Sequence, residues 1–270
     1  MQPVYITDPA WWTSFPHLVA PLPDEWIAGL LLRCDEENDW ESGTTINYLF
    51  RSIGRVNWKS KESWTMVPTS ILEGLTQVLA IPTSALLATT YQPELARIYD
   101  VAMSYAVQLN PSFWFHFCPD CVSQDRMLQR ALTLAHVHNC PKHQVALVSI
   151  CQCGRRQELF SRQAQPFTCP ACGMNWAQFP RRPAAQKDIV LEQKILSLYE
   201  IFFTRGTPEL LASAVTLIER KFRERNKLGK IHRLSGQIIK SELFNFHTNY
   251  SLAKLVDLLV RLDFSPNDLI

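Results

Sequence analysis

No stretch of the chain holds the roughly 18–20 consecutive apolar residues that a membrane-spanning helix needs, so no span is predicted. Behind Met1 there is no basic stretch followed by an apolar core, and no signal peptide is expected. Phosphate-cradling loops are missing too: neither a P-loop nor a G-x-G-x-x-G run occurs, and there is no G-x-S-x-G elbow. The acidic residues do not gather as a two-metal nuclease or transposase site would require. An enzyme is therefore not expected. Charge imbalance is also small: 27 Lys and Arg against 25 Asp and Glu leave +2, too little to mark the whole chain as a nucleic-acid binder. Material for a core is not lacking. The 270 residues are 47% hydrophobic and 11% aromatic, which argues against wholesale disorder.

With no secretory signal, the eight cysteines belong to a reducing, intracellular setting, where they point to metal and not to disulfides. Seven of the eight fall between positions 118 and 172. They form knuckles: Cys118-Pro119-Asp120-Cys121, Cys140-Pro141-Lys142-His143, Cys151-Gln152-Cys153-Gly154 and Cys169-Pro170-Ala171-Cys172-Gly173. A one- or two-residue gap lets a tight turn present both side chains to one ion. Proline in the gap fixes φ, and glycine behind it tolerates a left-handed turn. Seven thiolates and one imidazole are eight ligands, enough for two tetrahedral Zn²⁺ ions whose shells are filled by protein and therefore structural.

Pairing in sequence order puts Cys118, Cys121, Cys140 and His143 at one site and Cys151, Cys153, Cys169 and Cys172 at the other. The rival is a cross-brace, in which the first and third pairs share an ion and the second and fourth share the other. Seven residues separate His143 from Cys151, longer than cross-braces use, and the spacing favours sequential pairing. A second alternative replaces Cys140 and His143 by His136 and His138, which would strand the Cys-Pro-x-His knuckle. Cys34, far from the rest in an apolar run, reads as a small buried hydrophobe.

Four segments are expected: an extended arm over 1–19, a helical lobe over 20–112, a tandem zinc-finger region over 113–180 and a basic helical lobe over 181–270. The arm carries Trp11, Trp12 and Phe15, and either packs on the body or is held by a partner. Asp24 is placed to cap a helix whose apolar positions Trp26, Ile27, Leu30 and Leu31 share a face, and Thr44 or Thr45 starts another over 44–54. Residues 69–80 and 83–90, broken by Ile81-Pro82, have the helix-turn-helix outline, with Thr83 available as a cap. The second of these helices carries no Arg, Lys, Asn or Gln before Gln92. Packing or protein contact suits it better than base reading. A helix over 93–112 leads into the first knuckle, and Phe179-Pro180-Arg181-Arg182-Pro183 reads as a linker. Further helices are expected over 188–204, from Pro208 to about Leu228 with Thr207 as cap, over 234–246, and over 251–262 with Ser251 as cap. The fold class is thus mainly α with small zinc-ribbon β elements. From 181 onward 15 basic residues oppose 10 acidic ones. Arg220, Lys221, Arg223, Arg225, Lys227, Lys230 and Arg233 either track a phosphate backbone or form a solvated helix face.

The order of these features resembles the TniQ/TnsD family of bacterial transposition proteins. It runs from a Pro-Leu-Pro-Asp-Glu-Trp helix start through Phe117-Cys118-Pro-x-Cys121, Asn139-Cys140-Pro-Lys-His143-x3-Leu147 and Cys151-x-Cys153-Gly154 to Cys169-Pro-x-Cys172-Gly173. The resemblance covers about 20–180. It departs at the third pair, where family members often carry C-x2-C. It implies a cytoplasmic, bacterial target-selection protein that does not catalyse strand transfer. It also implies a link between a target-recognising element and the AAA+ regulator TnsC. That element is a CRISPR effector complex for some members and attachment-site DNA, bound directly, for those of TnsD type. The eight ligands carry over onto the eight positions named above.

Overall fold

A computed structural model describes residues 17–52, 67, 69–98, 115–134, 136–161, 164–227 and 252–269. The described residues are mainly helical. Helices α1 (Ile27–Glu37), α2 (Thr44–Ser52), α3 (Thr69–Leu79), α4 (Thr83–Leu87) and α5 (Gln92–Ile98) come first. After α6 (Pro119–Asp125), a short hairpin of β1 (Asn139–Cys140) and β2 (Val145–Ala146) pairs Cys140 with Val145. Helices α7 (Gln186–Arg205), α8 (Pro208–Lys227) and α9 (Leu252–Arg261) complete the described chain. None of these is long and apolar enough to cross a membrane.

Helix α1 is buried on nearly every side, from Ile27 to Cys34, and is the centre of the first core. Its start differs from the expected one. Asp24 has φ 58 and does not cap; Trp26 holds the cap position, its side chain making no capping bond. The early amides are bonded by neighbouring backbone instead: Trp26 N–H donates to the Leu128 carbonyl at 2.8 Å and Ile27 N–H to the Thr89 carbonyl at 3.0 Å. A helix end enclosed by other chain segments can satisfy its free donors this way. Glu25, fully buried, accepts from Leu22 N–H and from Arg33. At the far end Asp35 accepts from Gly43 N–H, Thr45 N–H and the Thr45 hydroxyl, which fixes the start of α2.

Helices α3 and α4 are joined by Ala80, Ile81 and Pro82, with Ala80 at φ 51. Pro82 takes the cap position of α4. Thr83 falls inside the first turn, where its hydroxyl meets that of Thr76 at 3.1 Å and does not cap. The helix expected over 93–112 is described only to Ile98. The helix expected over 234–246 and the Ser251 cap lie outside the described residues. Between α7 and α8 the backbone packs too closely for a side chain: a Cβ on Gly206 would stand 2.0 Å from the Phe202 carbonyl and 2.5 Å from Ile98. Thr207 then caps α8, accepting from Leu210 N–H at 3.2 Å.

Buried residues form two clusters that do not follow chain order. One joins α1–α4 to Phe117, Val122, Phe167, Trp176 and Phe179. The other joins α5, α7, α8 and α9 to Cys118, Cys121, Leu132 and Cys140. Helix α6 and the residue before its cap thus divide their side chains between both cores. The segment read as a linker is instead part of the structure. Phe179 is fully buried, Arg182 O accepts from Ala146 N–H at 2.8 Å, and Pro183 bridges to Val145. The two prolines that suggest a spacer hold this segment extended along the hairpin edge.

Candidate metal centres

Cys118 is the cap residue of α6 and Cys121 lies in its first turn, behind Pro119, so a helix start presents both sulfurs together. Cys140 ends β1, and the turn closed by Gln144 N–H on the Cys140 carbonyl (2.7 Å) swings His143 back toward it. His143 Nδ1 stands 3.4 Å from Cys118 Sγ, 3.4 Å from Cys121 Sγ and 3.6 Å from Cys140 Sγ. Cys121 and Cys140 sulfurs are 3.8 Å apart. A tetrahedral Zn²⁺ with Zn–S near 2.3 Å separates its sulfurs by about 3.8 Å. The donors therefore already stand at the edges of a tetrahedron of that size, too far apart for disulfides.

The environment suits a cation. His143 Nε2 lies 3.0 Å from the Gln124 amide oxygen. An Nε2–H donating there leaves the Nδ1 lone pair aimed at the three sulfurs. The sulfurs bias one another: hydrogen bonds from Cys118 and Cys121 pull the Cys140 thiol far down, to about 2, and facing Cys118 and Cys140 pushes the Cys121 thiol up. Three thiolates share so small a volume only around positive charge. Glu192 of α7, buried, holds the strand carrying Cys140. Its Oε1 accepts from His138 N–H at 2.8 Å and from the Asn139 backbone and side-chain amides at 3.0 Å each.

The second cluster stands on loops. Gly154 N–H donates to the Cys151 carbonyl and Gly173 N–H to the Cys169 carbonyl, both at 2.9 Å, with φ +83 and +73 at the two glycines. The shorter C-x-C turn thus closes like the C-x2-C turn opposite. Cys151 Sγ lies 3.6 Å from Cys172 Sγ, and Cys153 Sγ 3.7 Å from Cys169 Sγ. Gln157, buried, fixes one of these sulfurs. The Trp176 indole N–H donates to its Oε1 at 2.8 Å, and its Nε2 donates to the Arg155 carbonyl. Burial alone would raise the Cys169 thiol, but the Gln157 side chain and the Ala171 and Cys172 amides outweigh it and hold the thiol at about 6.

Stacked rings tie the two clusters together. Phe117, next to Cys118, stacks on Trp176 with centroids 4.7 Å apart, and Phe115, Phe167 and Phe179 surround the pair. Arg126, in the left-handed conformation at the end of α6, reaches Glu36 and Asn175 and lies 5.5 Å over the Phe167 ring. No spacing marks Gln124, Gln157, Arg126 or Glu192 in the sequence. Only the folded chain brings them to the clusters.

The eight predicted ligands are thus brought together in sequential pairs, and the cross-brace does not occur. His136 and His138 stand outside both four-donor groups. His138 is exposed, its backbone fixed on Glu192, and burial lowers the pKa of His136. Cys34 is buried, its thiol pushed up to about 12 by burial and then by Asp35. In the basic run, Arg220 is exposed and Arg223 pairs with Glu219 at 3.3 Å. Lys221 folds over the Phe264 ring, 4.2 Å from its centre, with the Asp263 carbonyl 3.5 Å away. Arg225 and Lys227 lie within α8. Trp11, Trp12, Phe15, Lys230 and Arg233 lie outside the described residues.

Residues 16–147 match the model of the TniQ family. Over these residues, just under half of its length, the chain carries a TniQ domain. No curated protein matches it. The TniQ match takes in α1–α6, the first cluster and the hairpin. It ends before Cys151, so the second cluster and α7–α9 lie outside it.

Proposed function

We infer that the TniQ domain makes this chain a transposition-associated target-selection protein. We propose that this TniQ chain is a non-catalytic, cytoplasmic adaptor. On one side it binds the AAA+ regulator TnsC, and on the other a target-recognising element, either a CRISPR effector complex or target DNA. The observation that carries this reading is the family match over 16–147, which includes the first metal cluster. Both clusters hold Zn²⁺ in this reading. Four side chains close each shell, whereas a catalytic zinc keeps a position for water.

The mechanism is coupling of binding energies. Two partners that favour the same assembly raise each other's affinity through the protein between them. Structural zinc contributes on the order of 10 kcal/mol of apparent folding free energy per site. That allows the described residues between Phe115 and Pro180, poor in regular structure, to act as a rigid joint between the core of α1–α4 and that of α5 and α7–α9. Rigid surfaces lose less conformational entropy on docking. Trp11, Trp12 and Phe15 are the arm a partner holds, and the basic residues from Arg220 to Arg233 make supporting DNA or RNA backbone contacts.

The test is affinity purification of the full chain alongside the transposon proteins, followed by binding to purified TnsC. The adaptor reading expects saturable TnsC binding that a targeting complex strengthens; absence of any TnsC binding overturns it. The exposed Arg220 and Arg223 on α8 support a second reading, direct attachment-site DNA binding. A gel shift separates the two. Strong preference for one sequence at physiological salt favours the second, whereas weak, steeply salt-dependent binding to any duplex favours the adaptor.

A further inference from the structure

The two clusters differ in which donors meet solvent. In the first, Cys118, Cys121 and Cys140 are all buried, and the half-open donor is the imidazole of His143, which carries no sulfur. In the second, Cys153 and Cys172 are exposed, each paired with a buried sulfur: Cys172 with Cys151 at 3.6 Å and Cys153 with Cys169 at 3.7 Å. A Cβ built on Gly154 or Gly173 meets nothing within 4 Å, so both knuckle tips stand in open space. Behind Gly154 follow Arg155, which pairs with Glu158 at 2.9 Å, and Arg156, both exposed. Accessible sulfur in an electropositive setting is the pattern of a thiol open to oxidation.

We propose that the second cluster is an oxidant-sensitive thiol site, attacked by hydrogen peroxide at Cys153 and Cys172, while the first cluster is protected. This rests on the reading that both clusters hold Zn²⁺. In each pair the exposed thiolate attacks the peroxide O–O bond, forming a sulfenic acid and releasing hydroxide. The buried partner thiolate then attacks the sulfenic sulfur, forming the S–S bond and expelling a second hydroxide. Each pair of sulfurs loses two electrons and one peroxide gains them, the two hydroxides becoming water on protonation. Two equivalents of peroxide thus turn four thiolates into the Cys151–Cys172 and Cys153–Cys169 disulfides, which hold no negative charge for a cation. A dithiol reductant reverses both.

The test uses the full zinc-loaded chain, with metal content measured first and a chromogenic chelator reporting release after hydrogen peroxide. A starting content below two ions per chain contradicts the two-zinc reading itself. With two ions present, the expected result is one equivalent released at least about tenfold faster than the other. Peptide mass spectrometry should then find the two named disulfides, while Cys118, Cys121 and Cys140 remain reduced. Equal release rates, earlier oxidation of the first cluster, or no release overturns the proposal. Cys153→His keeps a zinc donor while removing an exposed sulfur. It should slow the fast phase and abolish the Cys153–Cys169 disulfide, and an unchanged fast phase also overturns the proposal.

Discussion

The first cluster is carried by a helix start and a hairpin, and its three cysteines are part of the core formed by α5 and α7–α9. The second is carried by two loop knuckles; of its sulfurs only Cys151 and Cys169 enter the other core, and Cys153 and Cys172 face solvent. The donor distances are alike, so the difference is one of support. Around the first cluster, hydrogen bonds and helix packing already position the ligands. Around the second, turns and a buried Gln157–Trp176 pair do so, and an ion bound there would supply more of the local order.

Metal removal should therefore break the two regions unequally. Exhaustive chelation is expected to abolish hydrogen-exchange protection across 148–183, with amides in α7 and α9 keeping more of theirs. The effect at stake is on the order of 10 kcal/mol per site. Uniform loss along the chain would erase the contrast drawn here.

Trp176→Ala should have the next largest effect. It removes the ring that stacks on Phe117 and the donor that holds Gln157. Chemical denaturation should show a loss of about 3–5 kcal/mol. Glu192→Ala tests the other support. It leaves three donors on His138 and Asn139 without their acceptor and should cost about 1–3 kcal/mol, with weaker zinc retention at the first cluster than at the second.

Asp35 provides a control that belongs to neither four-donor group. Burial raises its pKa from 3.8 to about 6, against the hydrogen bonds from Thr45 and Gly43. The folded chain then binds this proton more readily than the unfolded one. Its contribution to stability is full below about pH 4 and lost as pH rises through 6. Asp35→Asn should flatten that part of the stability–pH curve by about 1.4 kcal/mol, read as the wild-type-minus-variant difference between pH 5 and 7.5. The smallest effect is expected for reversing Arg220 and Arg223. Thermal stability should change by no more than about 0.5 kcal/mol, while binding to any duplex weakens alike.

The two four-donor groups were legible because metal chemistry imposes spacing: short gaps, proline inside them and glycine behind them are local demands that sequence displays directly. The start of α8 at Thr207 was legible for the same reason. The Asp24 cap, the Thr83 cap and the linker at 179–183 were misread because their outcome depends on distant chain. Leu128 and Thr89 carbonyls take the donors that a cap would have taken, and Ala146 recruits Arg182 as a hairpin neighbour. Gln157 and Glu192 could not be found from spacing at all. Their roles come from burial beside partners 19 and 53–54 positions away.

Zinc content combined with zinc-edge absorption on the purified full chain tests the central claim most directly. Filled structural shells predict two ions per chain and a first shell of sulfur with a minor nitrogen share, seven sulfurs and one nitrogen over the two sites. Fewer than two ions, or oxygen from coordinated water in that shell, would contradict it.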